Sequence, residues 1–361
     1  MHLSFIIPTR NRAAQLRETL RRLGELDAQL GDLAELIILD NASDCPEPLP
    51  KMLQNGIAVT SVRLDRNLNT AARNIGAEQA RGTWLIMLDD DSNPLDANFA
   101  AVLRHVESNV GAVGGEIMLP SGARESGGLP EVIVGCGCAI RRDAFLQVGG
   151  YDESFGYYAE EYDLCAKLIA AGSRITHMRS LRFEHRKSTH GRDFNEIIYR
   201  LVRNNAWVMQ RYAPRDRRGR LIDETIERYR VIAEREDAQT GFQGGLESLR
   251  DTLDEQPEMS LTSEQWERFE GRSAVRATVE AKLPTDRGCV RLVGPAHSKG
   301  RVIIEEELIA SGCTINDTPD AHAMVASLSP GPMLDILDAH PGAMVPWDLE
   351  DFPPPDHPAR T

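Results

Sequence analysis

The sequence predicts an α/β chain built on a mainly parallel sheet, continued by a helical stretch and closed by a smaller α/β unit. Three observations carry this reading. Through residue 212, short apolar runs alternate with amphipathic stretches. From 213 to 285 the composition turns to arginine- and glutamate-rich text with few strand signals, and from 286 to 361 a second, smaller α/β pattern follows. The length of 361 residues fits about two domains, and 41% apolar residues is enough for packed cores, which excludes a disordered or collagen-like chain.

Taken in order, strands fit the apolar runs Leu3–Ile7, Leu36–Leu39, Val59–Leu64, Trp84–Leu88, Gly111–Ile117 and Val132–Ile140, with a short one at Arg174–His177. Helices fit Arg12–Leu23, Thr70–Arg81, Asn98–Ser108 and Glu160–Ala171, where apolar residues recur at three and four. Strands separated by helices imply a sheet covered on both faces, and ligands on such sheets bind beyond the carboxyl ends of the strands. Polar clusters stand at those ends: Pro8-Thr9-Arg10-Asn11, Asp40-Asn41 and Asp89-Asp90-Asp91. The helical stretch runs through Arg215–Arg220, Glu224–Glu236 and Glu264–Arg276. The last unit reads as Val290–Val293, a connector Gly294–Gly300, an amphipathic Gly300–Ala310, then Ala323–Leu328 and Met333–Ala339. The tail Pro346–Thr361 lacks periodicity and is expected to be irregular.

Charge and composition exclude several functions. The net charge is −14, of which residues 213–361 carry −11, so a non-specific nucleic-acid binder is not expected. No apolar run approaches the roughly 20 residues needed to cross a bilayer. The amino end reads as a strand without a cationic lead or cleavage site, so a cytoplasmic protein is expected. The helix face bearing Arg17 and Arg21 offers one place for peripheral contact with anionic lipid at the inner face of a membrane, against the plainer reading of a surface helix. Six scattered cysteines neither form a disulfide scaffold nor have zinc-knuckle spacing. Cys136 and Cys138, two apart on a predicted strand, point to one face and pack beside a cleft.

The sharpest chemical feature is Asp89-Asp90-Asp91 at the end of Trp84–Leu88. Three adjacent carboxylates repel unless water or a cation screens them, and a divalent metal, Mn²⁺ or Mg²⁺, is typically held by one or two carboxylates plus the phosphates of a substrate. The alternative is a solvated turn before a helix beginning at Asn93-Pro94. A second acidic cluster lies at Glu160-Glu161-Tyr162-Asp163. On a helix starting near Ala159, Glu160, Asp163 and Lys167 share one face, while Glu161 shares the stripe of Leu164, Cys165 and Leu168 and points inward. Glu160 suits the positive end of a helix; an inward Glu161 in a partly apolar cleft suits a general base.

These strings resemble glycosyltransferase family 2, inverting enzymes of the GT-A fold, over about residues 3–210 and in the correct order. The resemblance rests on Phe5-Ile6-Ile7-Pro8-Thr9-Arg10-Asn11-Arg12, Ile38-Leu39-Asp40-Asn41, Ala72-Arg73-Asn74-Ile75-Gly76-Ala77, Leu88-Asp89-Asp90-Asp91, Gly149-Gly150-Tyr151-Asp152-Glu153 and Glu160-Glu161-Tyr162-Asp163-Leu164. It implies a nucleoside-diphosphate sugar donor, UDP being the commonest nucleotide, and a hydroxyl acceptor. It places Thr9, Asp40 and Arg73 on the nucleotide, with Pro8, Arg10, Asn11 and Asp90 beside them, Asp89 and Asp91 on the metal-bound pyrophosphate, and Glu161 at the catalytic base. Glu160 and Asp163 are expected on the acceptor side of the cleft. Asn69 stands where glycine is usual, and asparagine also tolerates positive φ. The Gln-x-x-Arg-Trp string of processive synthases is absent, so one sugar per encounter is expected.

His185 follows the short strand in a basic setting with Arg182, Arg186, Lys187, His190 and Arg192. By the resemblance a histidine here completes the metal or pyrophosphate site, and imidazole suits Mn²⁺; a structural histidine is the alternative. Two other functional classes stay open. A nucleotidyltransferase normally has a glycine-rich loop and lysine where Pro8-Thr9-Arg10 stands, and a non-catalytic sugar-nucleotide or scaffold protein would release no diphosphate.

Overall fold

The computed structural model describes residues 3–97, 99–187, 193–284, 288–318 and 320–350. The first half is β1 (Leu3–Thr9), α1 (Ala13–Gly24), α2 (Leu30–Leu33), β2 (Ala34–Asp40), β3 (Ala58–Arg63), α3 (Ala72–Gln79), β4 (Trp84–Met87), β5 (Ser92–Pro94), α4 (Phe99–Arg104), β6 (Val110–Met118), β7 (Cys138–Arg141), α5 (Arg142–Gln147), α6 (Glu160–Ala170) and β8 (Arg174–His185). Their strands form one eight-stranded sheet in the order β3-β2-β1-β4-β7-β6-β8-β5. β1 to β4 run parallel, β7 is inserted antiparallel between β4 and β6, β8 runs parallel to β6, and β5 closes the edge antiparallel to β8. The sheet is therefore more mixed than strand–helix alternation alone implies.

Burial explains the central strands. Leu3, Phe5 and Ile7 face one apolar layer and Ile6 the other, so β1 is hydrophobic throughout, as a strand covered on both faces must be. Gly76 of α3 sits directly on Ile6 and Leu39, where a Cβ would come within 2.9 Å of the Ile6 side chain. The polar turn before α3 depends on Asn69, which takes φ +52° as its sequence allows.

Several sequence expectations shift. The run Val132–Ile140 becomes a strand only from Cys138, because Val132, Ile133 and Cys136 are buried in loop rather than sheet, which periodicity cannot distinguish. Cys136 and Cys138 consequently join opposite apolar layers instead of sharing a face. Asn93-Pro94 belongs to an edge strand, not a helix start. The short strand at Arg174 continues to His185 through a register shift opposite Gly115/Glu116. The residues of α1 offered for lipid are charge-compensated: Arg17 pairs with Glu47, and Arg21 with Glu18 and Glu25.

The chain continues as α7 (Phe194–Tyr212), α8 (Arg215–Arg235), α9 (Gln239–Thr252), α10 (Ser263–Glu270) and α11 (Arg272–Lys282). α7 was not read from the sequence, although Asp193 caps it and Ile198, Val202 and Ala206 line its buried face at intervals of four. β9 (Cys289–Val293), α12 (Arg301–Ala310), β10 (Thr314–Ile315), β11 (His322–Val325) and α13 (Pro330–Ala339) follow, with a parallel sheet ordered β10-β9-β11. Val290, Met324 and Leu328 share one continuous core with Leu85 and Ile140 of the large sheet. The tail begins in place, Trp347 donating to the Leu328 carbonyl at 3.2 Å; residues 351–361, Asn98, Asp286, His190 and Arg192 lie outside the described residues. No helix among the described residues is long and apolar enough to cross a membrane.

Candidate active site

The carboxyl ends of β1 and β4, the start of α6 and the loop 125–136 enclose a cleft of about 740 Å³. Pro8, Thr9, Arg10, Arg73, Asp89, Asp90, Asp91, Glu160, Glu161 and His185 all line it. Sheet register brings the parts together. Ser92 pairs with His185 across β5 and β8, so the residue before Ser92, Asp91, faces the imidazole at the end of β8.

The aspartate triplet is balanced largely by the protein's own cations, which corrects the expectation that a metal alone relieves it. Asp90 is buried, accepts from Thr9 Oγ1 at 2.8 Å and pairs with Arg12 Nε at 2.7 Å. Burial still pushes its pKa up to about 6, with Arg12 and Thr9 opposing. Asp91 pairs with the second arm of Arg12 and, at 3.3 Å, with His185 Nε2. Those partners outweigh its burial and hold its carboxyl below the usual range. Asp89 accepts from the buried Arg73 at 2.5 Å, yet its side chain is 41% exposed, against 9% for Asp91, so Asp89 is the carboxylate free to meet a ligand.

His185 is held on both ring nitrogens. Nε2 faces Asp91, while Nδ1 lies 2.8 Å from Glu125 Oε2 and 3.5 Å from Cys136 Sγ. Burial opposes a charge there, but the hydrogen bonds to Asp91, Cys136 and Glu125 prevail and its pKa is pushed up to about 12. Asp89, Cys136 and His185 each bring one ligand atom within 4.8 Å of the others. A carboxylate, a thiol and an imidazole surrounded by Asp91 and Glu125 fit a divalent cation. Cys136 thus joins Asp89 and His185, whereas Asp91, already engaged by Arg12, faces the imidazole.

Across the cleft, α6 starts after two left-handed residues, Tyr158 at φ +71° and Ala159 at φ +66°. Asn204 of α7, fully buried, donates to the carbonyls of Phe155, Tyr157 and Tyr158 at 3.0, 2.9 and 2.7 Å and holds this turn. Glu161 is half-buried and accepts the Gly135 N–H at 3.2 Å. Glu160 lies deeper, accepting from Thr70 Oγ1 at 2.8 Å, and its second oxygen has no hydrogen-bond partner among the described residues. Burial raises the pKa of both, and for Glu160 the neighbouring Glu161 adds to the effect.

Other candidates lie elsewhere. Asp163 is not in the cleft: α7 covers it, and it pairs with Arg211 at 2.8 Å and Lys167 at 2.9 Å while accepting from Tyr212 at 2.8 Å. Asp40 and Asn11 line a smaller recess of about 30 Å³ that shares Thr9 and Arg12 with the cleft. There Asp40 pairs with Arg63 at 3.0 Å. Of the basic cluster, Lys187 lines the cleft and pairs with Glu125 at 2.7 Å, whereas Arg186 turns to Asn93 and Thr19. Sequence reasoning missed Arg12, Glu125 and Asn204. Only Arg12 carried a signal, standing on the turn that faces β4.

An open α/β sheet with an aspartate cluster on one wall of its cleft and a buried glutamate pair on the other defines the class: a GT-A protein. The chain belongs to glycosyl transferase family 2, whose profile matches residues 4–184. It is 28% identical over 196 residues to an uncharacterized glycosyltransferase of Haemophilus influenzae, covering 46% of this chain and 62% of that one. It is 26% identical over 216 residues to the pre-mycofactocin glycosyltransferase of Mycobacterium tuberculosis, covering 53% and 44%. The chain therefore spans under two thirds of these relatives. Its fold is similar to the crystal structure of GalNAc-T7 with UDP, GalNAc and Mn²⁺, at a TM-score of 0.53 and 17% identity, covering 79% of this chain and 58% of that one.

Proposed function

We propose that the protein is an inverting, metal-dependent glycosyltransferase that moves one sugar from a nucleoside-diphosphate sugar to a hydroxyl acceptor. The observation that carries this is the facing of Asp89 and Glu161 across a single cleft. The likeness to a structure holding UDP and Mn²⁺ supports UDP as donor nucleotide and Mn²⁺ as the ion, with Mg²⁺ the alternative. A divalent cation, held by Asp89, Cys136 and His185, supplies neutralising charge for the departing diphosphate.

The protein's own residues do the rest. Thr9 and Arg10, at the end of β1, flank the nucleotide end, and Arg73 keeps Asp89 aimed into the cleft. Lys187 and Arg10 bring positive charge to a diphosphate despite the acidic chain. Glu161 takes the proton of the acceptor hydroxyl as its oxygen attacks the anomeric carbon. The bond to the diphosphate oxygen breaks on the opposite face, and its electron pair leaves with the diphosphate. Burial raises the basicity of Glu161, and the Gly135 N–H fixes one of its oxygens.

Glu161→Gln tests this directly. Binding of UDP, read as a rise in melting temperature with Mn²⁺, should persist while sugar transfer falls by at least about 100-fold. Wild-type transfer in that variant would remove Glu161 from the reaction.

A further inference from the structure

The segment after α11 reaches the cleft from outside the family match. Between β9 and α12, Lys299 is fixed by its own carbonyl, which accepts the Leu328 N–H at 2.9 Å. The following Gly300 takes φ +79° against the Leu328 side chain, leaving no room for a Cβ. From this anchored turn the Lys299 ammonium donates to the Tyr162 hydroxyl and lies 4.6 Å from that ring's centre. Tyr162 is the residue after Glu161, lines the cleft with it and packs edge-on against Phe269 of α10.

We propose that Lys299 is a positioning residue of the active site: its ammonium, anchored on Tyr162, supplies the positive charge that keeps Glu161 free of its proton. This rests on the reading of Glu161 as the base. The charges around Glu161 give the reason. Glu160, its neighbour on α6, and Asp89 beyond β4 both disfavour a second negative charge, while Arg73 of α3 favours it but is engaged by Asp89. Cys138, Tyr151 and Cys165 complete the surroundings as neutral groups that Glu161 further discourages from ionising. Lys299 brings a cation from the carboxyl-terminal segment. Burial draws its pKa down to about 8, and the negative charge of Glu161 opposes that fall, so the two groups act on each other.

The same segment grips the opposite rim. Ser329 bonds to Gly127, and Arg124, beside Glu125, pairs with Asp335 of α13 at 2.8 Å. Gly331 packs so closely on the Glu125 carbonyl that a Cβ would come within 2.2 Å. The turn that carries Lys299 is thus held in place independently of its own ammonium.

The test is to replace Lys299 by Met, which keeps the length of the stem, and by Arg, which keeps the charge. The full chain is labelled with [13Cδ]glutamate, and the Glu161 resonance is identified by its loss in Glu161→Gln. The carboxyl is then titrated by NMR. Lys299→Met should move the Glu161 midpoint upward by about one pH unit, and Lys299→Arg should restore it. Where sugar transfer is measurable, the acid limb of its pH profile should move by the same amount. A Glu161 midpoint unchanged in folded Lys299→Met overturns the proposal. The titration needs no turnover, so absence of transfer in the wild type would instead count against the function proposed above.

Discussion

The turn before α6 offers the most discriminating perturbation, Asn204→Ala. The Asn204 amide serves three carbonyls in a buried position, and withdrawing it costs about 3 kcal/mol if the turn stays where it is. The turn has reason to move, since non-glycine residues pay about 1–2 kcal/mol each for a left-handed backbone and Tyr158 and Ala159 both adopt one. Relaxation recovers part of the loss and leaves a net destabilisation of about 1–3 kcal/mol. For 361 residues, with an unfolding entropy of about 2.1 cal/mol/K per residue, this lowers the melting temperature by only roughly 1–4 °C. Activity should suffer far more. Relaxing the turn carries Glu160 and Glu161 with it, and a misplacement on the order of 1 Å costs about 100-fold in turnover. The assay pairs a thermal scan with nucleotide release at saturating donor. Ala159→Gly, which removes strain but leaves the clamp, should retain turnover. Wild-type turnover in Asn204→Ala would show that the turn does not place the glutamates.

Two further outcomes follow from the aspartate wall. Asp90 has a pKa near 6 in the folded chain against 3.8 for a free carboxyl, so between those values the folded state holds the extra proton. Its contribution is present in full below about pH 4 and is lost as pH rises through 6, a swing of about 3 kcal/mol that Asp90→Asn should abolish in urea unfolding followed from pH 4 to 7. With Co²⁺ in place of Mn²⁺, ligation by Cys136 should give a sulfur-to-cobalt charge-transfer band that Cys136→Ser removes; the same band in both proteins would exclude the thiol as ligand.

Much of the site was legible because strand ends carry their own punctuation. The aspartate triplet closes an apolar strand, and the helix stripe through Leu164 and Leu168 separates Glu161 from Glu160 without any structure. What stayed hidden was tertiary. Asp163 shares a helix face with Glu160, and nothing local says that α7 will cover one and leave the other at the cleft. Glu125 sits in a loop with no periodicity, and Cys136 in an apolar run that reads as strand. His185 was found, but not that β8 would extend to deliver it. Arg12, counted as the first residue of a helix, balances two aspartates because α1 starts beside β4.

The pairing of Ser92 with His185 has a further meaning. Asp91 and His185 meet only because two edge segments far apart in the chain settle in one register. A slip by a single residue would turn the imidazole to the other side of the sheet. Additions within the excursion between those segments can therefore vary freely in length, provided they leave that alignment untouched, and new specificity can evolve there without rebuilding the ion's cradle.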